Sequence, residues 1–278
     1  MKPAPFAYRK ARALDEAVAL LGEHKEARLL AGGQSLIATL NMRLSAPSLL
    51  IDINGITGLD GIALKDGMVE LGALTRHVQA ERSDVIAKAA PLIARAMPHI
   101  GHPAIRNRGT LGGSVAFADP AAELPACLLA LDGEIEAAGP KGRRTIKAAD
   151  FFKGLFETAL GPQEVLTAIR VPAAGKDARV GFAELARRHG DYAIVGLAAS
   201  ARGDGRKLSD VRLAYFGVGN AAVRARKAES ALTKGDIDGA VAALDLEPND
   251  DVQATAKVKK HLAGVLLRRV ASQLMEAA

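Results

Sequence analysis

Apolar positions change their spacing several times along the chain, and each change predicts an element. Leu14, Ala17, Val18 and Leu21 recur at helical spacing behind Asp15, so 13–22 reads as a helix. Arg28-Leu-Leu-Ala31 reads as a short strand. Leu36, Leu40 and Leu44 share one helical face over 35–44. An apolar strand over 48–53 is turned by Asn54-Gly55. A hairpin follows, 62–64 and 68–71, around Lys65-Asp66-Gly67. Thr75 can cap a short helix, and 83–97 reads as helical segments. Residues 101–113 are rich in turn formers and read as a long loop. Asp119-Pro120 predicts the start of a helix to about 130. Strands over 133–138, 143–147 and 164–171 close this half.

Pro172-Ala-Ala-Gly-Lys-Asp177 marks a boundary, and the pattern changes beyond it. Strand-like runs cover 179–187, 192–201 and 208–218, with Gly203-Asp-Gly205 as a turn. Helices are predicted over 223–234 and 236–244. The last helix, about 251–276, carries Val258, Leu262, Val265, Leu266, Val270 and Leu274 on one face. Antiparallel strands followed by packed helices predict an α+β fold. The expected division is 1–175 and 176–278, the first part splitting into about 1–55 and 56–175.

Composition narrows the class. The chain has 278 residues, 49% hydrophobic and 24% charged, enough for a sizeable core. No apolar run reaches the roughly 18–20 residues that span a bilayer. Met1-Lys2-Pro3-Ala4-Pro5 lacks the apolar stretch of a secretory signal, so a cytoplasmic protein is expected. Cys127 is the single cysteine. One thiol closes no intrachain disulfide and cannot supply the four thiolates of an iron–sulfur cluster. Its apolar surroundings predict a buried structural role. The net charge of +6 is scattered over short basic clusters. Three Tyr, seven Phe and no Trp leave little for base stacking, which argues against nucleic acid. None of the six histidines has metal-ligand spacing. Asp52 and Asp60 read as strand-end and turn residues.

The chemistry concentrates in two loops, Ala31-Gly32-Gly33-Gln34-Ser35-Leu36 and Thr110-Leu111-Gly112-Gly113-Ser114. Doubled glycines let main-chain N–H groups turn outward toward an anion. A helix start just after each loop adds the positive end of its dipole. Two such loops suit one diphosphate held from both sides, hence a dinucleotide. Neither has Rossmann or P-loop spacing. Ser35, Thr110 and Ser114 can equally cap helices.

Three ordered segments make the chain recognisable: Ala31-Gly-Gly-Gln-Ser-Leu36, Ile105-Arg-Asn-Arg-Gly-Thr-Leu-Gly-Gly-Ser114 and Ala118-Asp-Pro-Ala-Ala-Glu-Leu-Pro125. They closely resemble the FAD-binding medium subunit of the molybdenum hydroxylases, the flavoprotein of the carbon monoxide dehydrogenase and xanthine dehydrogenase family. Arg187-Arg-His-Gly-Asp-Tyr-Ala-Ile-Val-Gly196 and Phe216-Gly-Val-Gly219 resemble that subunit's C-terminal domain. The resemblance spans nearly the whole chain.

It implies a vanillyl-alcohol-oxidase-like (PCMH-type) FAD-binding domain of two α/β subdomains, followed by an antiparallel-sheet-and-helices domain. Non-covalent FAD would lie extended between them. By the family pattern Leu29, Leu30, Ala31, Gly32, Gly33, Gln34, Ser35 and Leu36, with Thr110, Leu111, Gly112, Gly113 and Ser114, wrap the diphosphate and ribityl chain. Ile100 would lie beside the flavin or its chain. Glu123 stands at a position commonly Asp that meets the cofactor. Leu166 would contact the adenine side through its backbone, and Tyr192 would flank the isoalloxazine. Gln34 and Ser114 depart from the commoner family residues but stay polar. Glu184 reverses a charge found in some relatives and receives no cofactor role. His102 can contact the cofactor or serve its loop structurally.

The resemblance also implies partners. A large subunit would hold molybdopterin and hydroxylate the organic substrate, and a small subunit would carry two [2Fe-2S] clusters. Their electrons would reach this chain's FAD and leave to an external acceptor. No catalytic acid or base is expected here. A nucleotide-binding assembly or regulatory protein, and a stand-alone flavin oxidase, are the competing classes. No nucleic acid and no membrane span are expected.

Overall fold

The computed structural model describes residues 1–204 and 207–276. Its first sheet is parallel and three-stranded. In chain order its unit is β1 (Ala7–Lys10), α1 (Leu14–Glu23), β2 (Ala27–Leu30), α2 (Leu36–Asn41) and β3 (Leu49–Asp52), with β3 central. The buried run Leu49-Leu50-Ile51 explains that place, since a parallel central strand is covered on both faces. The hydrophobic pattern misses β1. All four of its residues are exposed, and it is held by backbone pairing to β3 rather than by burial. The expected helix over 35–44 is shorter. Arg43 takes a positive φ of 56° just past α2, and Leu44 is 77% exposed, off the face it was expected to share.

A five-stranded antiparallel sheet follows, in the order β4-β5-β10-β6-β7. It is made of β4 (Ile62–Lys65), β5 (Met68–Gly72), β6 (Glu134–Gly139), β7 (Gly142–Lys147) and β10 (Val165–Pro172). Between β5 and β6 run α3 (His77–Glu81), α4 (Asp84–Ala89), α5 (Pro91–Ala96), a 3-10 turn (Met97–His99), α6 (Pro103–Arg106), α7 (Leu111–Phe117) and α8 (Glu123–Ala130). Between β7 and β10 come α9 (Ala148–Phe151) and the small hairpin of β8 (Phe152–Gly154) and β9 (Glu157–Thr158).

Three expectations fail here. Thr75 caps no helix: its hydroxyl exchanges two 3.0 Å hydrogen bonds with the Gly61 backbone, and α3 starts at His77 behind Arg76. Asp119 opens a turn rather than a helix. Its Oδ1 accepts from Ala121 N at 2.9 Å, and α8 begins at Glu123. The long loop over 101–113 contains the single turn of α6.

The C-terminal sheet is antiparallel, β11-β12-β13-β14, from β11 (Ala178–Leu185), β12 (Val195–Gly203), β13 (Leu208–Phe216) and β14 (Val223–Arg224). One face packs on α10 (Arg226–Thr233) and α12 (Ala256–Met275), and α11 (Ile237–Ala242) packs on those two helices. The other packs on α8, whose eight residues are all buried between two layers. That two-sided burial explains why α8 reads as a plain apolar run. Residues 192–194 precede β12 instead of joining it. Residues 223–224 pair as β14 instead of starting a helix. The last helix starts at Ala256, because Asp251 Oδ1 accepts from Gln253 N and Ala254 N and holds a turn before the Thr255 cap. Gly205 of the expected turn lies outside the described residues. Among the described residues no helix is long and apolar enough to cross a membrane. Cys127 is fully buried, as its apolar setting predicts.

Candidate functional site

The two glycine loops, 74 residues apart or more in sequence, touch in the fold. Gly32 lies so close to the second loop that a Cβ would stand 2.4 Å from the Arg108 carbonyl oxygen and 2.7 Å from Gly109 Cα. Only glycine permits that approach. Gly33 is required for a different reason, its φ of 74°.

Arg76 fastens the pair from below. Its Nη1 donates to the Arg108 carbonyl and its Nη2 to Asn54 Oδ1 at 2.6 Å. Asn54 Nδ2 in turn donates to the Ala31 carbonyl at 2.8 Å. One guanidinium therefore ties the support of the first loop to the backbone of the second.

The loops differ in what they offer. In the second, the amides are already bonded. Leu111 N donates to Thr75 O (2.9 Å), Gly112 N to Ala73 O (2.9 Å), Gly113 N to Thr110 Oγ1 (3.1 Å) and Ser114 N to Thr110 O (3.1 Å). Gly112 is glycine because a Cβ would meet Ala73 at 2.6 Å. The second loop is a buried buttress, with Thr110 as the cap of α7 and Leu111 fully buried. In the first loop, no acceptor among the described residues meets the main-chain N–H of Gly32, Gly33, Gln34 or Ser35. Ser35 stands at the N-cap of α2 without a side-chain cap bond, and Gln34 Nε2 donates to Gly32 O at 3.2 Å. Gly32 is buried and Gly33 and Ser35 are half-buried; amides of that kind without partners are uncommon, so the row is open to an external acceptor.

The row opens onto a cleft of about 440 Å³, within the range of small-molecule sites. Its lining joins Leu30, Ala31, Gly32, Gly33 and Gln34 with Tyr8, Asp52, Asn54 and Arg108. Arg108 is exposed and makes no side-chain hydrogen bond or ion pair among the described residues. Asp52 accepts from Tyr8 Oη at 2.5 Å and from Asn54 N at 2.9 Å. Burial works against its charge, but those hydrogen bonds outweigh it and hold the carboxyl below the usual range. Burial, with the nearby Arg108 charge, lowers Arg76. An anion between free N–H groups and Arg108 fits this donor set. The diphosphate of FAD is such an anion, so the residues present fit that group.

Beneath the loops His77 is 4% exposed, and neither ring nitrogen meets hydrogen-bond geometry with any of the described residues. Burial, with the charges of Arg106 and Arg76, pushes it down to about 4, so it is neutral at neutral pH.

The remaining expected residues lie elsewhere. Leu29 is half-buried in β2, and Leu36 begins α2. Leu166 is 4% exposed in the core beside a β-bulge on β10, where the next residue's carbonyl accepts from Ala73 N at 3.0 Å. Ile100, Glu123 and Tyr192 belong to a seam between the 97–123 segment and the C-terminal sheet. Gly217 N donates to Pro120 O at 2.8 Å there, and Gly190 packs directly on His102. His102 is the N-cap position of α6, in contact with that glycine. Ile100 is 7% exposed, whereas Tyr192 is 58% exposed. Partial burial, then the charges of Asp119 and Glu123, raise the Tyr192 phenol. Glu123 is buried at the first position of α8. Burial, with the Glu184 and Asp119 charges, pushes it up to about 8.

Sequence reasoning missed Arg108, Arg76, Asn54 and Tyr8. Arg108 lay inside a quoted motif, and its one-residue distance from Gly109 was the available signal. Tyr8 had none, because its strand shows no alternation. Glu184, set aside on charge, is buried at the seam with His99 Nδ1 3.3 Å from its Oε1.

Comparison with known proteins agrees with this geometry. Residues 4–174 match the FAD binding domain in molybdopterin dehydrogenase, and 181–274 match the CO dehydrogenase flavoprotein C-terminal domain. The chain is 38% identical to the 6-hydroxypseudooxynicotine dehydrogenase complex subunit alpha of Paenarthrobacter nicotinovorans, over 100% of this chain and 97% of that one. It is 37% identical to the carbon monoxide dehydrogenase medium chain of Hydrogenophaga pseudoflava, over 97% and 96%. Among solved structures, carbon monoxide dehydrogenase from Hydrogenophaga pseudoflava superposes with a TM-score of 0.95 at 37% identity, covering 99% of this chain and 98% of that one. Quinoline 2-oxidoreductase from Pseudomonas putida 86 gives 0.93 at 33% identity, covering 99% and 100%. The chain belongs to the FAD-binding medium subunits of the molybdenum hydroxylases, an oxidoreductase family.

Proposed function

We propose that this chain is the electron-transfer subunit of a heteromeric molybdenum hydroxylase, taking electrons from [2Fe-2S] clusters of a small partner subunit and passing them to an external acceptor. A large subunit holding molybdopterin would act on the organic substrate. The relatives carry names of subunits, medium chains and complexes, which supports the assembly. The observation that carries the reading is the row of unpartnered N–H groups at Gly32, Gly33, Gln34 and Ser35, wedged against the second loop by Gly32.

In this reading the first loop and Arg108 hold the diphosphate. Thr110, Leu111, Gly112, Gly113 and Ser114 set the first loop's position, and Gly113 and Ser114, half-buried, border the bound group. Ile100, Glu123 and Tyr192 take the flavin end in the seam, with residues 1–175 as the FAD-binding part and 176–278 completing the pocket. FAD supplies one- and two-electron chemistry when bound, and the chain's own residues bind, orient and cover it.

Isolation of the native chain tests this. It should come out yellow, with molybdenum and iron in the same fraction. A colourless chain that takes up no added FAD refutes the cofactor site. A yellow chain that isolates free of any metal-containing partner refutes the subunit role.

A further inference from the structure

The cofactor cleft leaves unexplained the outer face of the unit that carries the first loop. Tyr8 lines the cleft together with Ile37, Ala38 and Asn41 of α2, so α2 and the Tyr8 side of β1 lie on one face of the parallel sheet. Phe6, one residue ahead of β1, is two before Tyr8, the spacing that shares a strand face. Met42 stands four residues after Ala38 and continues its row along the helix. Arg43 then takes its positive φ and turns the chain, which leaves Leu44 in the open. Arg43 Nε donates to the Lys2 carbonyl at 3.3 Å, and Ala7 N donates to Ser48 O at 2.9 Å. Residues 2–8 and 42–48 therefore form one ledge.

Phe6, Tyr8, Ile37, Met42 and Leu44 are all exposed, Met42 by 58%. Beyond residue 44, the exposed large apolar side chains among the described residues stand singly in sequence or as the pair Leu155 and Phe156. Single exposed apolar side chains are ordinary on a protein surface, whereas a contiguous group marks a contact.

The charge around this group has one sign. Residues 1–10 and 36–51 contain no Asp or Glu. Lys2 and Arg43 border the apolar side chains, and Lys10 shares the strand face of Tyr8. Among the described residues neither Lys2 nor Arg43 forms an ion pair. Asp52, at the edge of the ledge, is engaged by Tyr8 and Asn54. A second copy of this chain would set these cations against themselves, and like charges brought together disfavour a contact. An apolar surface ringed by carboxylates is the complement. Aromatic residues, Met and Arg, the types gathered here, are also enriched where proteins meet.

We propose that this ledge, with Met42 and Leu44 at its centre, docks the metal-bearing partner of the hydroxylase, through a partner surface of apolar side chains ringed by Asp and Glu. The inference rests on the subunit reading above.

The test uses the native complex, purified through a tag on this chain and then diluted, with molybdenum and iron counted per flavin. For the double variant Met42→Glu/Leu44→Glu, the concentration at which half the metal separates from the chain should rise at least about tenfold. Both side chains are exposed, so the variant should melt with the parent and stay yellow. Val252→Glu places the same charge on an exposed apolar side chain in the α11–α12 connection and should hold metal as the parent does. Rising salt should separate the parent from its metal, and Arg43→Gln should separate at lower salt; this variant also serves if the double variant does not fold. A double variant that keeps molybdenum or iron at the parent's level, equal release by Val252→Glu, or release indifferent to salt overturns the proposal, while metal on the parent leaves the subunit reading standing. A parent without metal refutes that reading and the docking site together. The flavin-loaded chain alone is then tested for self-association and for binding to phosphatidylserine vesicles. If the double variant abolishes either while keeping its metal, the ledge belongs to that occupant and the proposal falls.

Discussion

Gly32→Ala puts the loop contact to the test most directly. The new methyl would stand 2.4 Å from the Arg108 carbonyl oxygen, 2.7 Å from Gly109 Cα and 3.0 Å from the Arg108 carbonyl carbon. All three are backbone atoms, so no rotamer change relieves the clash. Arg108 O is also fixed by Arg76, which is anchored on Asn54. Reaching ordinary contact near ~3.5 Å requires the loops to part by about 1 Å. Overpacking of this kind costs about 1–3 kcal/mol, a fall in melting temperature of about 2–10 °C for a chain of this size. The effect on cofactor is larger than the effect on stability. A shift of about 1 Å takes N–H···O contacts outside the ~3.2 Å limit, and each charge-assisted bond lost is worth about 1.5–3 kcal/mol. FAD affinity should therefore drop about 10- to 100-fold. Gly113→Ala is the contrast. Its methyl meets Thr110 Oγ1 at 2.6 Å, a side-chain atom that can rotate away at the cost of the α7 cap, about 1 kcal/mol. Calorimetry of the flavin-free chains and fluorescence titration with FAD measure both quantities. A Gly32→Ala chain that melts within a degree of the parent and binds FAD equally well refutes the packing argument.

Arg108→Ala should weaken FAD binding about tenfold and flatten its dependence on ionic strength, since the lost contact is one exposed cation against a diphosphate; an unchanged salt profile in the same titration removes Arg108 from the site. His77 titrates near 6.5 when unfolded and about 4 when folded, so from pH 6.5 down to 4 the unfolded chain binds a proton that the native chain refuses. That removes up to ~3 kcal/mol of stability over this window, and His77→Leu should lose this acid dependence in denaturant titrations across pH. Glu229 is 7% exposed and accepts from Leu213 N at 2.9 Å and from Arg224 Nε and Nη2 at 2.8 Å each. Glu229→Ala should cost about 3–5 kcal/mol by chemical denaturation, and Glu229→Gln, which still accepts from Leu213 N, distinctly less.

The elements legible in the sequence were those whose burial is one-sided or complete. β3, β10 and the Leu266, Val270 and Leu274 side of α12 announce themselves through apolar spacing, whereas Val258, expected on that side, is 45% exposed. Elements held by backbone pairing alone stayed silent. β1 has four exposed residues and β14 only two residues, so neither carries a period to read. Helix starts were misplaced where a polar side chain served a different local need. Thr75 bonds Gly61, and Asp119 bonds Ala121 N, although both residue types favour N-caps. The outcome depends on which backbone donor folds nearby, and that is tertiary information.

The candidate site shows the same division at finer scale. Doubled glycines mark both loops, but the mark has two physical meanings that sequence alone cannot separate. In the first loop glycine frees the backbone: Gly33 takes a positive φ, and the N–H groups around it meet no acceptor among the described residues. In the second loop glycine removes bulk: Gly112 sits against Ala73, and every N–H from Leu111 to Ser114 is bonded at home. A diphosphate held symmetrically by two rows of amides would need free donors on both sides. The geometry instead gives one donor row, one buttress and a cation, Arg108, standing where the second row was expected to contribute. Substitutions in the buried part of the buttress, Leu111 and Gly112, should therefore lower FAD affinity only as far as they move the first loop, so their losses in affinity and in stability should rise together. Losses from Arg108 should appear in affinity alone.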